Sequence, residues 1–228
     1  MELLTLAALM PSDKHAIANA KTQLLDIAKQ FNTLKGLDQA CQQLVGLRAW
    51  TPAVELVVAC VKLPMLKPAL SHFKHHQPLD DTVGKQALQQ CQQCHELLFG
   101  ALNGVLTKLY QAMNSAPLGS DAAKTLRAAL DQQIYHVLLA DDELLDYALF
   151  QWLLRHGEDA RLIQAESPRV APYLQERRQQ LQGADLQAAR ACLHLLMRHY
   201  QHRKEFAKVR VQCDVSYAGE SLTRLLLG

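Results

Sequence analysis

The chain has 228 residues, 49% of them hydrophobic and 20% charged, with a formal net charge of only +2. This is an ordinary globular composition with enough apolar mass for a sizeable core, and its near-neutral balance excludes the bulk basic footprint of a nucleic-acid or membrane-surface protein. Leu3 to Met10 is apolar but short, and Glu2 stands where a secretory signal carries basic residues, so no targeting signal is expected. The longest apolar run, Ala53 to Val61, is broken by Glu55 and stopped by Lys62 and Pro64, short of membrane-spanning length. Without a secretory signal, the six cysteines (41, 60, 91, 94, 192 and 213) read as reduced thiols, mostly at apolar positions of helical patterns.

Helical periodicity runs along almost the whole chain. After Pro11, Ser12 and Asp13 are suited to cap a helix striped by Ile17, Ala20, Leu24, Ile27 and Phe31. Gly36 separates it from a second helix carrying Leu37, Ala40, Cys41, Leu44 and Val45. Thr51-Pro52 is a helix start, and the helix behind it (Val54, Val57, Val58, Val61) is apolar around much of its circumference, which predicts neighbours on both sides. Pro64 and Pro68 bound a short turn region. The longest predicted helix runs from Asp80 to about Met113, striped by Val83, Ala87, Cys91, Cys94, Leu98, Leu102, Val105 and Leu109. Gly100 and Gly104 are positions for a bend or a close neighbour. Residues 114–120 (NSAPLGS) form a linker.

A helix capped by Ser120 or Asp121 carries Leu126, Leu130, Ile134 and Val137. The next spans Asp142 to His156, with Leu145, Leu149, Trp152 and Leu153 inward and Gly157 ending it. Ser167-Pro168 opens another with Val170, Tyr173 and Leu174. Gly183 precedes the last, with Leu186, Leu193, Leu196, Met197 and Tyr200. Val209 to Tyr217 alternates like a strand, but a lone strand has no partner here, so that stretch reads as irregular. Eight to ten helices of about 15 residues, joined by short turns, imply an all-α fold of antiparallel pairs. Stacked pairs make an irregular α-solenoid; a compact bundle is the other arrangement. No strict tetratricopeptide or ankyrin repeat is present.

The sharpest chemical motif is Cys91-Gln92-Gln93-Cys94-His95. Its spacing matches covalent haem attachment, and with a second ligand pair it would suit zinc. The same cysteines continue a helix core stripe, and nothing in the sequence signals export. Cys192 with His194, or His72 with His75 and His76 near the proline-bounded turn, would complete a zinc set only through folding. The acidic run Asp141, Asp142, Glu143, Asp146 falls at a helix start, where free amides and the helix dipole favour negative charge. Arg177-Arg178 and the cluster Arg198 to Lys204 read as solvated faces. There is no phosphate loop, no G-x-S-x-G and no H-E-x-x-H. The expectation is therefore no enzyme, no cofactor and no metal, but a helical protein that holds other proteins.

Several stretches, in order, resemble one family. Residues 141–174 are similar to a hallmark of the 155-kDa nucleoporin family, the 170-kDa class in yeasts, which are scaffold proteins of the nuclear pore inner ring. The matching positions are Asp142-Glu143-Leu144, Phe150, Trp152-Leu153, Leu162, Ser167-Pro168 and Tyr173-Leu174. Downstream, Leu195 to Tyr200, including Arg198 and Tyr200, and Phe206-Ala207 resemble a further block, with Met197 in place of the family's Trp. Upstream, Phe73-Lys74-His75, Pro78, Asp80-Asp81 and Val83-Gly84 resemble another. It is followed in the family by a similar cysteine-bearing helix, on which Cys94 falls. Trp50 to Leu56 is also similar.

The resemblance covers roughly residues 25 to 208 and stops where the family continues differently. It implies solenoid segments over 1–113 and 121–208 with the linker 114–120 between them, and a divergent tail over 209–228. It also implies a structural role in nucleocytoplasmic transport at the nuclear envelope. The partners it implies are other nucleoporins, above all linker-nucleoporin peptides. No small-molecule substrate and no direct nucleic-acid contact is expected. The family's β-propeller, with its membrane-associated loop, lies outside these residues, so no membrane contact is expected of them. A vesicle-coat type of helical adaptor is the alternative scaffold, and a haem or zinc protein through Cys91, Cys94 and His95 the chemical one.

Overall fold

The computed structural model describes residues 37–46, 50–62, 66–75, 82–115, 121–181 and 183–214. The helix expected over Ile17 to Phe31 lies outside them. Among the described residues every regular element is helical. The chain divides into two compact units, Met1–Asp146 and Tyr147–Gly228.

The first unit is organised around one helix. Its elements are α1 (Leu37–Gly46), α2 (Trp50–Val61), α3 (Pro68–His75), α4 (Thr82–Ser115), α5 (Asp121–Leu138) and the opening of α6 (Glu143–Arg155). At 1.5 Å per residue, the 34 residues of α4 extend about 50 Å. This helix packs against α1, α2, α3 and α5. The stripe from Ala87 through Cys91, Cys94, Leu98, Leu102 and Val105 to Leu109 is buried, as its three-and-four spacing predicts. The expectation of neighbours around α2 is met. Ala53, Val54, Leu56, Val57, Cys60 and Val61 are all buried, and α1, α4 and α5 all touch this helix. Gly104 is a close-approach glycine. A Cβ there would lie 3.3 Å from Nε1 of Trp50, whose ring occupies the space. A short connection between packed neighbours, as from α4 to α5, makes an antiparallel hairpin.

In the second unit α6 continues to Arg155, followed by α7 (Asp159–Gln164), α8 (Val170–Leu181), α9 (Leu186–His202) and a further helix, α10, over residues 206–214. Gly157, at φ +68°, closes α6. Its N–H donates to Leu154 O, and Glu158 N–H donates to Leu153 O at 2.9 Å, so two orphan carbonyls are satisfied. Asp185 caps α9 by accepting from Ala188 N at 2.9 Å. The aromatic rings of Tyr147 and Phe150 on α6 each lie 5.4 Å from that of Tyr173 on α8. Buried His199 on α9 bonds through Nδ1 to the Ile163 carbonyl of α7 at 3.1 Å, and Gln175 of α8 donates to the Tyr200 hydroxyl at 3.2 Å.

Several boundaries differ from the sequence expectation. Residues 209–214 are helical rather than irregular, because α10 is tied on at its start: Lys208 sits over the Tyr200 ring at 5.7 Å and pairs with Glu205. The α7 helix was not expected. It is a short turn whose Glu158–Arg161 ion pair and buried Leu162 and Ile163 fix it locally. Asn114 and Ser115 belong to α4, not to the linker, and residues 116–120 lie outside the described set. His72 lies in α3, which opens at Pro68, next to the proline-bounded turn. Val83 is 64% exposed and not part of the core stripe, and Leu186 is exposed as well.

Candidate functional site

The CQQCH motif lies on one turn and a half of α4, and its two thiols point into the core of the first unit. Cys94 is fully buried, close enough to Cys41, Cys60 and Cys91 to feel each of them. Burial pushes the Cys94 thiol up to about 12 and those of Cys91 and Cys60 to about 11, with nearby Asp142 adding to the rise at Cys91. Such thiols stay protonated at neutral pH and are neither nucleophiles nor ready metal ligands. Burial lowers His95 to about 4, against a smaller upward pull from Asp142, and its Nε2 is buried without a hydrogen-bond partner. Among the described residues no three His, Cys, Asp or Glu side chains converge as a metal set. A haem face or a zinc ion would have to enter the packing of α1, α2 and α4 to reach Cys94. The geometry therefore does not favour the haem and zinc readings.

The residues singled out by resemblance fall into three groups. Most are core or capping positions. Leu144, Phe150, Trp152, Leu153, Tyr173, Leu174 and Tyr200 are buried. Asp142 accepts from Leu145 N at 2.8 Å as the cap of α6, whose first turn carries Glu143. Ser167 accepts from Arg169 N at 3.3 Å just before α8, with Pro168 exposed beside it. Gly84 is buried on α4 beside the exposed Val83. Phe73, Arg198 and Phe206 are exposed; Phe206 shows 65% of its surface, so this aromatic is not core. Pro78 and Asp81 lie outside the described residues, and so does the side chain of His75.

In the second unit several side chains from different helices make one knot. Tyr173 sits between the rings of α6 and the guanidinium of Arg177, which also reaches Cys192 on α9. Burial pushes the Tyr173 phenol and the Cys192 thiol up, and Arg177 partly offsets both rises. Burial likewise lowers His199, with the Ile163 carbonyl opposing. Arg203 donates to the Glu166 carbonyl at 3.3 Å. Spacing alone did not single out His199 as an inter-helix tie. The available signal was its place among Leu195, Leu196 and Tyr200 on the apolar side of α9.

These groups orient helices; none is arranged as a nucleophile with its base. No helix of the described residues is long and apolar enough to cross a membrane. What the surface offers is contact. Tyr110 and Met113 on α4, Tyr135 on α5, Leu139 in the turn after it, Leu186 on α9 and Val211 on α10 are large apolar side chains left exposed.

Comparison with known proteins agrees with this picture. The profile described as "Non-repetitive/WGA-negative nucleoporin C-terminal" matches residues 2–208. The chain is 28% identical over 179 residues to Nucleoporin NUP170 of Chaetomium thermophilum, covering 76% of this chain and 12% of that protein. It thus spans about an eighth of that relative's length. Among solved structures, the Chaetomium thermophilum Nup170 CTD–Nup145N complex superposes with a TM-score of 0.67 at 22% identity, over 87% of this chain and 35% of that one. The Nup170 CTD gives 0.63 over 87% and 32%. The Nup170 SOL structure also gives 0.63, at 20% identity over 90% and 24%. The fold is accordingly the helical solenoid of those structures. The chain therefore belongs to the non-repetitive, WGA-negative nucleoporin C-terminal family.

Proposed function

We propose that this chain is a structural segment of the nuclear pore inner ring, which docks short peptide segments of other nucleoporins in grooves between its helices and performs no catalysis. The observation that carries this reading is the family match across residues 2–208 on a chain whose described regular elements are all helical and whose CQQCH thiols are buried and inert. Stacked helices present shallow grooves at their seams, and an extended or helical peptide fills such a groove with a few apolar anchors. The related Nup170 CTD is crystallised with Nup145N, which supports a linker nucleoporin as the kind of partner. Nothing in the arrangement of the described side chains calls for a small-molecule substrate, a nucleic acid or a lipid surface.

The test is localisation of the tagged full-length gene product. A nuclear-rim signal that co-purifies other nucleoporins is expected. A diffuse or vesicular signal would overturn the reading in favour of a coat-type adaptor.

A further inference from the structure

The buried stripe of α8 runs through Val170, Tyr173 and Leu174 at three-and-four spacing, and the next two positions on it are Arg177 and Arg178. Both are half-buried, so this arginine pair is not the solvated face that its sequence suggests. Arg177 lies against the Tyr173 phenol and the Cys192 thiol of α9, which are neutral groups and leave its charge uncompensated. Arg178 buries its Nε without a hydrogen-bond partner. A third guanidinium comes from α6. Tyr147, Gln151 and Arg155 follow one another at four-residue steps on that helix. The row begins where the Tyr147 ring meets that of Tyr173 at 5.4 Å, and it ends in exposed Arg155, whose charge also acts on the phenol. Tyr173 is 8% exposed, and its hydroxyl has no hydrogen-bond partner among the described residues. No carboxylate is among the charges that act on this phenol or on Cys192. Acidic side chains on the flanking turns are engaged elsewhere: Glu176 accepts from Gln180 at 3.1 Å, and Glu158 pairs with Arg161.

We propose that Arg155 and Arg177 receive the carboxylate of an Asp or Glu side chain from a partner protein docked along the α6–α8 seam, with the Tyr173 hydroxyl donating at its base and Arg178 flanking it. Charge complementarity selects this occupant. Two guanidiniums act on one buried phenol, and what the arrangement lacks is an acceptor. Guanidiniums only donate, and the hydroxyl beside them has its own proton to give. A buried donor without an acceptor is destabilising, so an incoming acceptor supplies what the chain alone leaves unmade. A carboxylate is planar and meets a guanidinium fork edge to edge. A phosphoryl group carries up to about twice the charge and would lose more hydration over a base of aromatic rings. An apolar side chain would cover the guanidiniums without pairing them. The proposal deepens the scaffold reading by naming the chemistry of one partner contact, and it rests on that reading in taking the occupant to be a protein.

The test follows the arginine Nε–H signals of the isotope-labelled full chain by NMR while blocked single-residue probes are added. N-acetyl-aspartate N-methylamide carries the carboxylate, and N-acetyl-asparagine N-methylamide is its neutral isostere. The aspartate probe is expected to shift the Arg155 and Arg177 signals saturably, with a half-saturation at least about tenfold lower than that of the asparagine probe. Arg155→Gln, at an exposed position, should weaken the aspartate probe at least about fivefold, read at Arg177, with an unchanged melting temperature. Tyr173→Phe keeps the ring packing and removes only the unpartnered hydroxyl. Its melting temperature should hold or rise, while the aspartate probe weakens at least about twofold. Arg127→Gln on the exposed face of α5 should leave binding unchanged. Equal half-saturation by the two probes would overturn the proposal, and so would full affinity in Arg155→Gln or in Tyr173→Phe. Inorganic phosphate that saturates the same signals at a lower concentration than the aspartate probe would overturn it in favour of a phosphoryl ligand. Since the readout is probe binding by the chain alone, a negative result leaves the nuclear-rim test of the scaffold reading standing.

Discussion

Trp152 illustrates how a single side chain serves this fold. It is 5% exposed on α6, its ring lies 4.5 Å from that of His156, and its carbonyl lies 2.9 Å from His156 Nδ1. Truncation removes a large apolar surface and leaves a cavity that the helix cannot collapse into. Trp152→Ala is expected to cost about 3–5 kcal/mol in a denaturant titration. An unchanged midpoint would show that the ring is not core. Cys91 and Cys94 teach the same lesson from the other direction. Their spacing on paper suits a haem or a metal, but a helix places residues three apart on one face, and here that face is the core of the first unit. Burial then makes the thiols small hydrophobes. The alternative use of the motif was open in the sequence because spacing is blind to which way a helix face points.

At the scale of elements, helix ends are where local chemistry is most explicit. Gly157 and Lys204 occupy equivalent left-handed positions, at φ +68° and +59°, after α6 and α9. Lys204 N–H donates to Gln201 O and Glu205 N–H to Tyr200 O, the same pair of closing bonds as after α6. Glycine adopts this conformation freely, and a residue with a Cβ is strained there by about 1 kcal/mol. Gly157→Ala should therefore destabilise by about 1 kcal/mol, since a Cβ would meet no neighbour and the cost is backbone alone. Lys204→Gly should stabilise by roughly 0.5–1 kcal/mol. Paired thermal melts of the two variants check the opposite signs; a shift in the same direction for both would refute the common cause. Sequence reading located the first of these ends because glycine announces it. The second was missed because a lysine in that conformation carries no signal.

At the scale of the whole molecule, each unit contains a source of acid sensitivity: among the described residues, His95 in the first and His199 in the second are shielded from solvent. His95 in the first unit is held at about 4, and His199 in the second is lowered as well, burial being the main cause in both. Above the ordinary imidazole value of about 6.5 both are neutral whether folded or unfolded, and their full contribution to stability is present. Below it the unfolded chain takes up protons that the folded chain refuses, so stability falls with pH. For His95 the loss runs from about pH 6.5 down to about 4 and is on the order of 3 kcal/mol. Urea midpoints measured across that range should decline, and His95→Gln should flatten the decline. A profile equally steep in the variant would place the sensitivity elsewhere.

The sequence by itself determined that the fold would be all-helical, where most of the helices lie, and which family the chain resembles. Each of those rests on local periodicity, on helix-start signals such as Thr51-Pro52 and the acidic run at Asp142, or on ordered motifs read along the chain. Only the tertiary structure decided that Trp50 fills the space left by Gly104, that His199 ties α9 to α7, and that Phe206 stands in solvent. It also decided that α10 continues past Val209. These depend on which helix faces meet across long stretches of chain. Periodicity within one helix shows that it has an apolar side, whereas the partner that covers that side is set by packing among all of them.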